Sequence, residues 1–130
     1  SDLLWKITDT ARLTEIALNS NEAKEKRLEA IWALTDQQKL FEIATRARNY
    51  DIRLEAAKKI TDRNMLSLDH KEPAIRHRAA LEMSDQEQLK HIVKNDSHDA
   101  VRAAATRGIR GYPIPRYTAM SRAGRRRSRI

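Results

Sequence analysis

A ten-residue pattern, Arg-x-x-Ala-x-x-x-(Leu/Ile/Met)-(Thr/Ser)-Asp, occurs three times in this chain: from Arg27 to Asp36, from Arg53 to Asp62 and from Arg76 to Asp85. Ile7-Thr8-Asp9 forms the tail end of an earlier copy. Arg102, Ala105 and Ile109 keep the register until Gly111 stands where an aspartate is due. Leu13, Leu40, Leu66 and Leu89 each lie four residues past a motif aspartate. The period is 23 to 27 residues, room for one supersecondary unit whose apolar face must be covered by the next. Residues 1–8 match only the end of a unit. They could cap an array or continue a longer one.

Each unit reads as two short helices. Asp9, Asp36, Asp62 and Asp85 are placed as N-caps, because apolar residues three and four apart follow each of them. The first helices carry Leu13, Ile16 and Ala17, then Leu40, Ile43 and Ala44, then Leu89, Ile92 and Val93 on one face. The third copy is weaker: Leu66 is followed by Asp69 and His70, and only 14 residues separate Asp62 from Arg76, against 17 or 18 elsewhere. Irregular packing is expected there. The second helices are expected to start near Glu22, Asp51, Glu72 and Asp99, with Pro73 at a first helical position, where its missing N–H costs nothing. Leu28, Ala30, Ile31 and Leu34, then Ile52, Ala56 and Ile60, then Ile75, Ala79 and Met83, then Val101, Ala105 and Ile109 take their buried positions. An alanine recurring at one site implies close helix approach. Helices this short are marginal alone in water, so neighbouring units must bury each other.

On these residues the chain resembles the HEAT-like α-solenoid repeats, in particular the short bacterial lyase-type HEAT-like and leucine-rich-variant repeats. The matching motifs are Ile52-Arg53-x-x-Ala56-Ala57 and Val101-Arg102-x-x-Ala105, with the Asp-x-x-x-Leu-x-x-Ile of Asp36 to Ile43 and of Asp85 to Ile92. The resemblance covers roughly residues 3–109 and implies an all-α solenoid of about four short helix pairs. Its departures are the short third unit and Asp69 at an apolar position. For function it implies scaffolds, adaptors and, in some members, nucleic-acid enzymes.

Arg27, Arg53, Arg76 and Arg102 fall near helix N-termini, where a cation opposes the helix dipole, so their recurrence asks for a compensating contact. One reading is a ladder to Asp36, Asp62 and Asp85 of adjacent units; the other is a row of arginines binding an acidic ligand. The equal strictness of the aspartates favours the ladder.

Charge divides the chain. The 18 acidic residues all lie at or before Asp99 and balance the 18 Lys and Arg of residues 1–106, whereas residues 107–130 carry eight arginines and no acid. The net charge of +8 therefore belongs to the tail. Zero cysteines remove disulfides, thiolate metal sites and a cysteine nucleophile, and suit a reducing cytoplasm. No apolar run is long enough to span a bilayer, and no charged-then-apolar leader opens the sequence. His70, His77, His91 and His98 contain no His-x-x-x-His pair that would set two imidazoles on one helical face for a metal. There is no nucleophile elbow and no glycine-rich phosphate loop. No catalytic, metal or cofactor residues are assigned, and no small-molecule substrate is indicated. Trp5 and Trp32 sit four residues before Asp9 and Asp36, an equivalence that favours packing between repeats over base stacking or peptide gripping. Phe41 and Tyr50 read as core and loop-edge residues.

We divide the chain into a repeat domain, 1–109, and a basic tail, 110–130. Gly108 and Gly111 offer helix-ending conformations, and Pro113 and Pro115 oppose resumption. Tyr112, Ile114, Tyr117 and Met120 could cover the last unit's open face, while Arg122, Arg125, Arg126, Arg127 and Arg129 form a candidate polyanion-binding arm. The expected function is a non-catalytic scaffold presenting stacked helices to a partner protein. The alternative is RNA or DNA binding through the tail, helped by Lys24, Lys26, Arg46, Arg48 and Arg63.

Overall fold

A computed structural model describes residues 9–111. It contains seven α-helices and no strand among the described residues: α1 (Thr10–Leu18), α2 (Lys24–Ala33), α3 (Gln37–Arg46), α4 (Tyr50–Lys58), α5 (Pro73–Glu82), α6 (Gln86–Asn95) and α7 (Asp99–Gly108). A single 3-10 turn, Arg63–Met65, stands where the third unit's first helix is due. The chain is all-α in its described part. No helix there is long and apolar enough to cross a membrane.

The motif aspartates cap as their spacing requires. Asp9, Asp36 and Asp85 accept from the first-turn N–H groups of α1, α3 and α6, and Asp62 accepts from Asn64 N in the 3-10 turn. The second helices begin within two residues of the expected positions. Asn49 caps α4, Glu72 caps α5 ahead of Pro73, and Ala23 and His98 flank α2 and α7 without a side-chain cap bond.

Helix α1 packs on α2, α3 on α4 and α6 on α7, and the second helices make a continuous row in the order α2, α4, α5, α7. They run parallel. Arg53 in the first turn of α4 reaches Glu72 at the head of α5, and Arg76 in the first turn of α5 reaches Asp96 just ahead of α7. At the other end, Lys59 past α4 donates to Ile31 O, Trp32 O and Leu34 O at the C-terminus of α2. The row is close because its contact residues are small: Ala30, Ala56 and Ala105 are fully buried and Ala79 nearly so.

Two glutamines tie the start of a first helix to the end of the second helix it packs on. Gln37, directly after the cap Asp36, donates to Lys59 O at 3.3 Å and accepts from Thr61 N at 2.7 Å and Asp62 N at 3.0 Å. Gln86, directly after the cap Asp85, repeats this two units on, donating to Gly108 O at 3.1 Å and accepting from Arg110 N at 2.9 Å. Gly108 is therefore not the left-handed terminator its position suggested; it is the last residue of α7. A Cβ there would come within 3.0 Å of Leu89, so its smallness serves close approach. Gly111 does adopt positive φ, +74°.

The missing helix divides the interior. One buried cluster runs from Leu13 to Ile75 and a second from Ala80 to Ile109, with α5 contributing to both. Above the division, the 66–69 segment and α6 leave an open groove of about 520 Å³ whose lining includes Leu68, Asp69, Gln88, His91 and Ile92. The expected irregularity of the third unit takes this form, and Asp69 sits exposed beside it.

Candidate docking face

Two of the recurring arginines, Arg53 and Arg76, bridge to an acid of the next unit, but not to the aspartates that recur beside them. Asp36, Asp62 and Asp85 give their carboxylates to helix N-termini. The arginines turn instead to carbonyls of the preceding loop and to an acid before the next second helix. Arg53 donates through Nη1 to Ala47 O and Arg48 O, at 2.7 and 2.9 Å, and through Nε to Glu72 at 2.9 Å. Arg76 repeats this with His70 O and Lys71 O and makes a bidentate pair with Asp96 at 2.9 and 3.1 Å. These rungs are largely shielded: the side chains are 20% and 14% exposed in the first, 13% and 10% in the second. Burial alone would raise the Asp96 pKa, but hydrogen bonds from Arg76 and the His98 N–H, with the Arg76 charge, hold it below the usual carboxylate range.

The ladder's ends differ. Arg102 bonds Asp96 O and pairs with Asp99 on its own helix. Arg27 is buried, donates through Nε to Ala17 O at 2.9 Å, and has no partner for Nη2 among the described residues. At the head of the next second helix stands Asn49, where Glu72 stands one unit on.

Among the described residues, nothing covers one face of the second-helix row. Trp32 is 58% exposed and Leu81 39%, the two large hydrophobics left exposed among the described residues. Trp32 is thus mostly exposed among the described residues, while Trp5, its expected counterpart in packing between repeats, lies outside them. Trp32 and Leu81 occupy one register position, five residues past the motif arginine, and the same position holds Lys58 on α4 and Arg107 on α7, both exposed. One turn earlier on each helix come Leu28, Leu54, His77 and Ala103, the first three partly buried. Burial holds the His77 pKa below the ordinary imidazole value, and the positive charges of Lys58 and Arg107, with His98, push it the same way.

At the head of the row, the Tyr50 and His98 rings lie 4.8 Å apart, with the Arg53 guanidinium 5.5 Å from the Tyr50 ring centre. Burial, aided by Glu72, raises the Tyr50 pKa. Phe41 packs on the core and meets His70 edge-on at 5.7 Å. Among the described residues, no three His, Cys, Asp or Glu side chains come together as a metal ion requires.

The basic edge expected from sequence is mostly neutralised. Lys24 pairs with Asp51, Lys26 with Glu22 and Arg46 with Glu42, leaving Arg48 and Arg63 exposed without a carboxylate among the described residues. Arg122, Arg125, Arg126, Arg127 and Arg129 lie outside the described residues, as do Trp5, the half-unit at 1–8 and the possible cap from Tyr112 to Met120. No family model, no curated protein and no solved structure matches the chain.

Proposed function

We propose that this chain is a short α-solenoid built like the HEAT-like repeats and that its task is non-catalytic: a scaffold that docks a partner protein on the outer face of α2, α4, α5 and α7. The observation that carries this reading is the pairing of Trp32 and Leu81 at one register position of one open face, while the other large hydrophobics among the described residues are buried or partly buried. An aromatic anchor held on a rigid helix row supplies contact area at small entropic cost. The continuous parallel row supports the solenoid reading, because each second helix packs on the next.

The test is a peptide-display selection on the full chain, counter-selected on a W32A/L81A double variant. Enriched sequences should bind the parent chain and lose most of that binding on the variant. Failure to enrich any ligand dependent on those two residues would overturn the docking reading. RNA or DNA binding is separated by a mobility assay with and without residues 121–130 at low and moderate salt. Retention by the full chain only, falling steeply with salt, would favour the tail as a polyanion arm.

A further inference from the structure

The open face has an order as well as an area. At the register position five past the motif arginine, the helices present an aromatic residue, a cation, an aliphatic residue and a cation in succession: Trp32, Lys58, Leu81, Arg107. The four helices are neighbours in that sequence and run parallel, so equivalent positions form a line across the row. Packed helices stand about 8–10 Å apart, which sets the step along that line.

The step selects a backbone. A polyproline-II segment completes a turn in three residues with about 3.1 Å rise each, so every third side chain returns to the same side about 9 Å on. A β-strand repeats its facing side chains about every 6.6 Å, and a helix returns to a face after about seven residues, roughly 10.5 Å. Only the first fits the spacing throughout. The charges then fix composition. Arg107 makes no ion pair among the described residues, and Lys58 has only the exposed, long contact to Glu55 at 3.4 Å. Arg107 lacks a carboxylate among the described residues, and the one beside Lys58 is a partly exposed neighbour on its own helix that a better-placed carboxylate could replace. A nucleic-acid strand fits less well, because Leu81 has no flat ring for a base and two cations separated by an aliphatic side chain do not track a continuous phosphate backbone.

Resting on the docking reading above, we propose that the partner is an acidic polyproline-II segment of the form apolar-x-x-acid-x-x-apolar-x-x-acid. It would lie across α2, α4, α5 and α7 with its apolar side chains on Trp32 and Leu81 and its carboxylates on Lys58 and Arg107. Leu28, Leu54 and His77 form the floor beside it.

The probes are labelled peptides with leucine at the apolar sites, glutamate at the acidic sites and proline between, made in both chain directions and titrated against the full chain by fluorescence anisotropy. Three controls accompany them: lysine for glutamate, one proline removed from each interval, and a single-stranded RNA oligomer. At least one direction of the parent peptide should bind, and the lysine and shortened peptides should bind about tenfold more weakly or worse. K58E/R107E should reverse the preference between glutamate and lysine peptides, and W32A should weaken both; circular dichroism confirms that these surface variants stay folded. Equal binding by the shortened or lysine peptides overturns the proposal, as does RNA displacing the peptide through Lys58 and Arg107. No binding by either direction also overturns it. If display still yields ligands dependent on Trp32 and Leu81 that lack this order, the docking reading survives and the assigned segment does not.

Discussion

Arg76 and Asp96 concentrate more interaction than any other side-chain pair described. Their bidentate geometry and low exposure put them in the regime where removing one partner strands the other, so Arg76→Met should cost about 3 kcal/mol in urea denaturation. Lys24 and Asp51 are bonded at 3.1 Å but about half exposed or more, and Lys24→Met should change stability by about 0–1 kcal/mol after solvent screening. His77 sets a pH dependence. Its folded pKa is lowered, so the unfolded chain takes up the proton first, and stability should fall as pH drops below the ordinary imidazole value of 6.5. Asp96 adds nothing to that change, since, against burial, Arg76 and the His98 N–H hold its pKa below the usual carboxylate range. Denaturation midpoints at pH 7.5 and pH 5.5 should differ less in His77→Gln than in the parent.

At the scale of the helix, packing and local capping were legible in sequence because both are fixed by spacing along the chain. The cap aspartates, Pro73 at the start of α5 and the buried alanines followed from residues three and four apart. Ala56→Leu should accordingly destabilise by about 1–3 kcal/mol through overpacking, read as a lowered melting temperature. The arginines' partners were not legible. Glu72 lies four residues before the next motif arginine and Asp96 six before it, so the acids do not recur at a fixed offset as Asp36, Asp62 and Asp85 do. Periodicity pointed to the wrong carboxylates, which were already committed to N–H groups. The exposure of Trp32 was not legible either: its match to Trp5 is a fact of register, and register does not say which side of a helix row is covered. The ladder's vacancy is directly testable. Asn49→Glu places at the head of α4 the residue that caps α5 and binds Arg53, and it should stabilise the chain by about 1 kcal/mol by engaging Arg27.

Over the whole molecule, stability is unevenly distributed. The apolar cluster from Leu13 to Ile75 is larger than the one from Ala80 to Ile109, and the layer of first helices that would join them is broken at the 3-10 turn. Native-state hydrogen exchange should show α6 and α7 opening together at lower free energy than α3 and α4. Equal opening free energies in the two regions would show instead that α5 transmits enough packing to make them one cooperative unit.

The forward-reaching arginines also give the array a direction of growth. At Arg53 and Arg76 one unit supplies the cation and its successor the anion, so a module appended after α7 would need a carboxylate ahead of its second helix to draw Arg102 into the same pattern. At the head of α2, Glu22 stands in the equivalent place, five residues before Arg27, and is paired with Lys26. The row thus has a polarity written into side chains rather than into the backbone they hold.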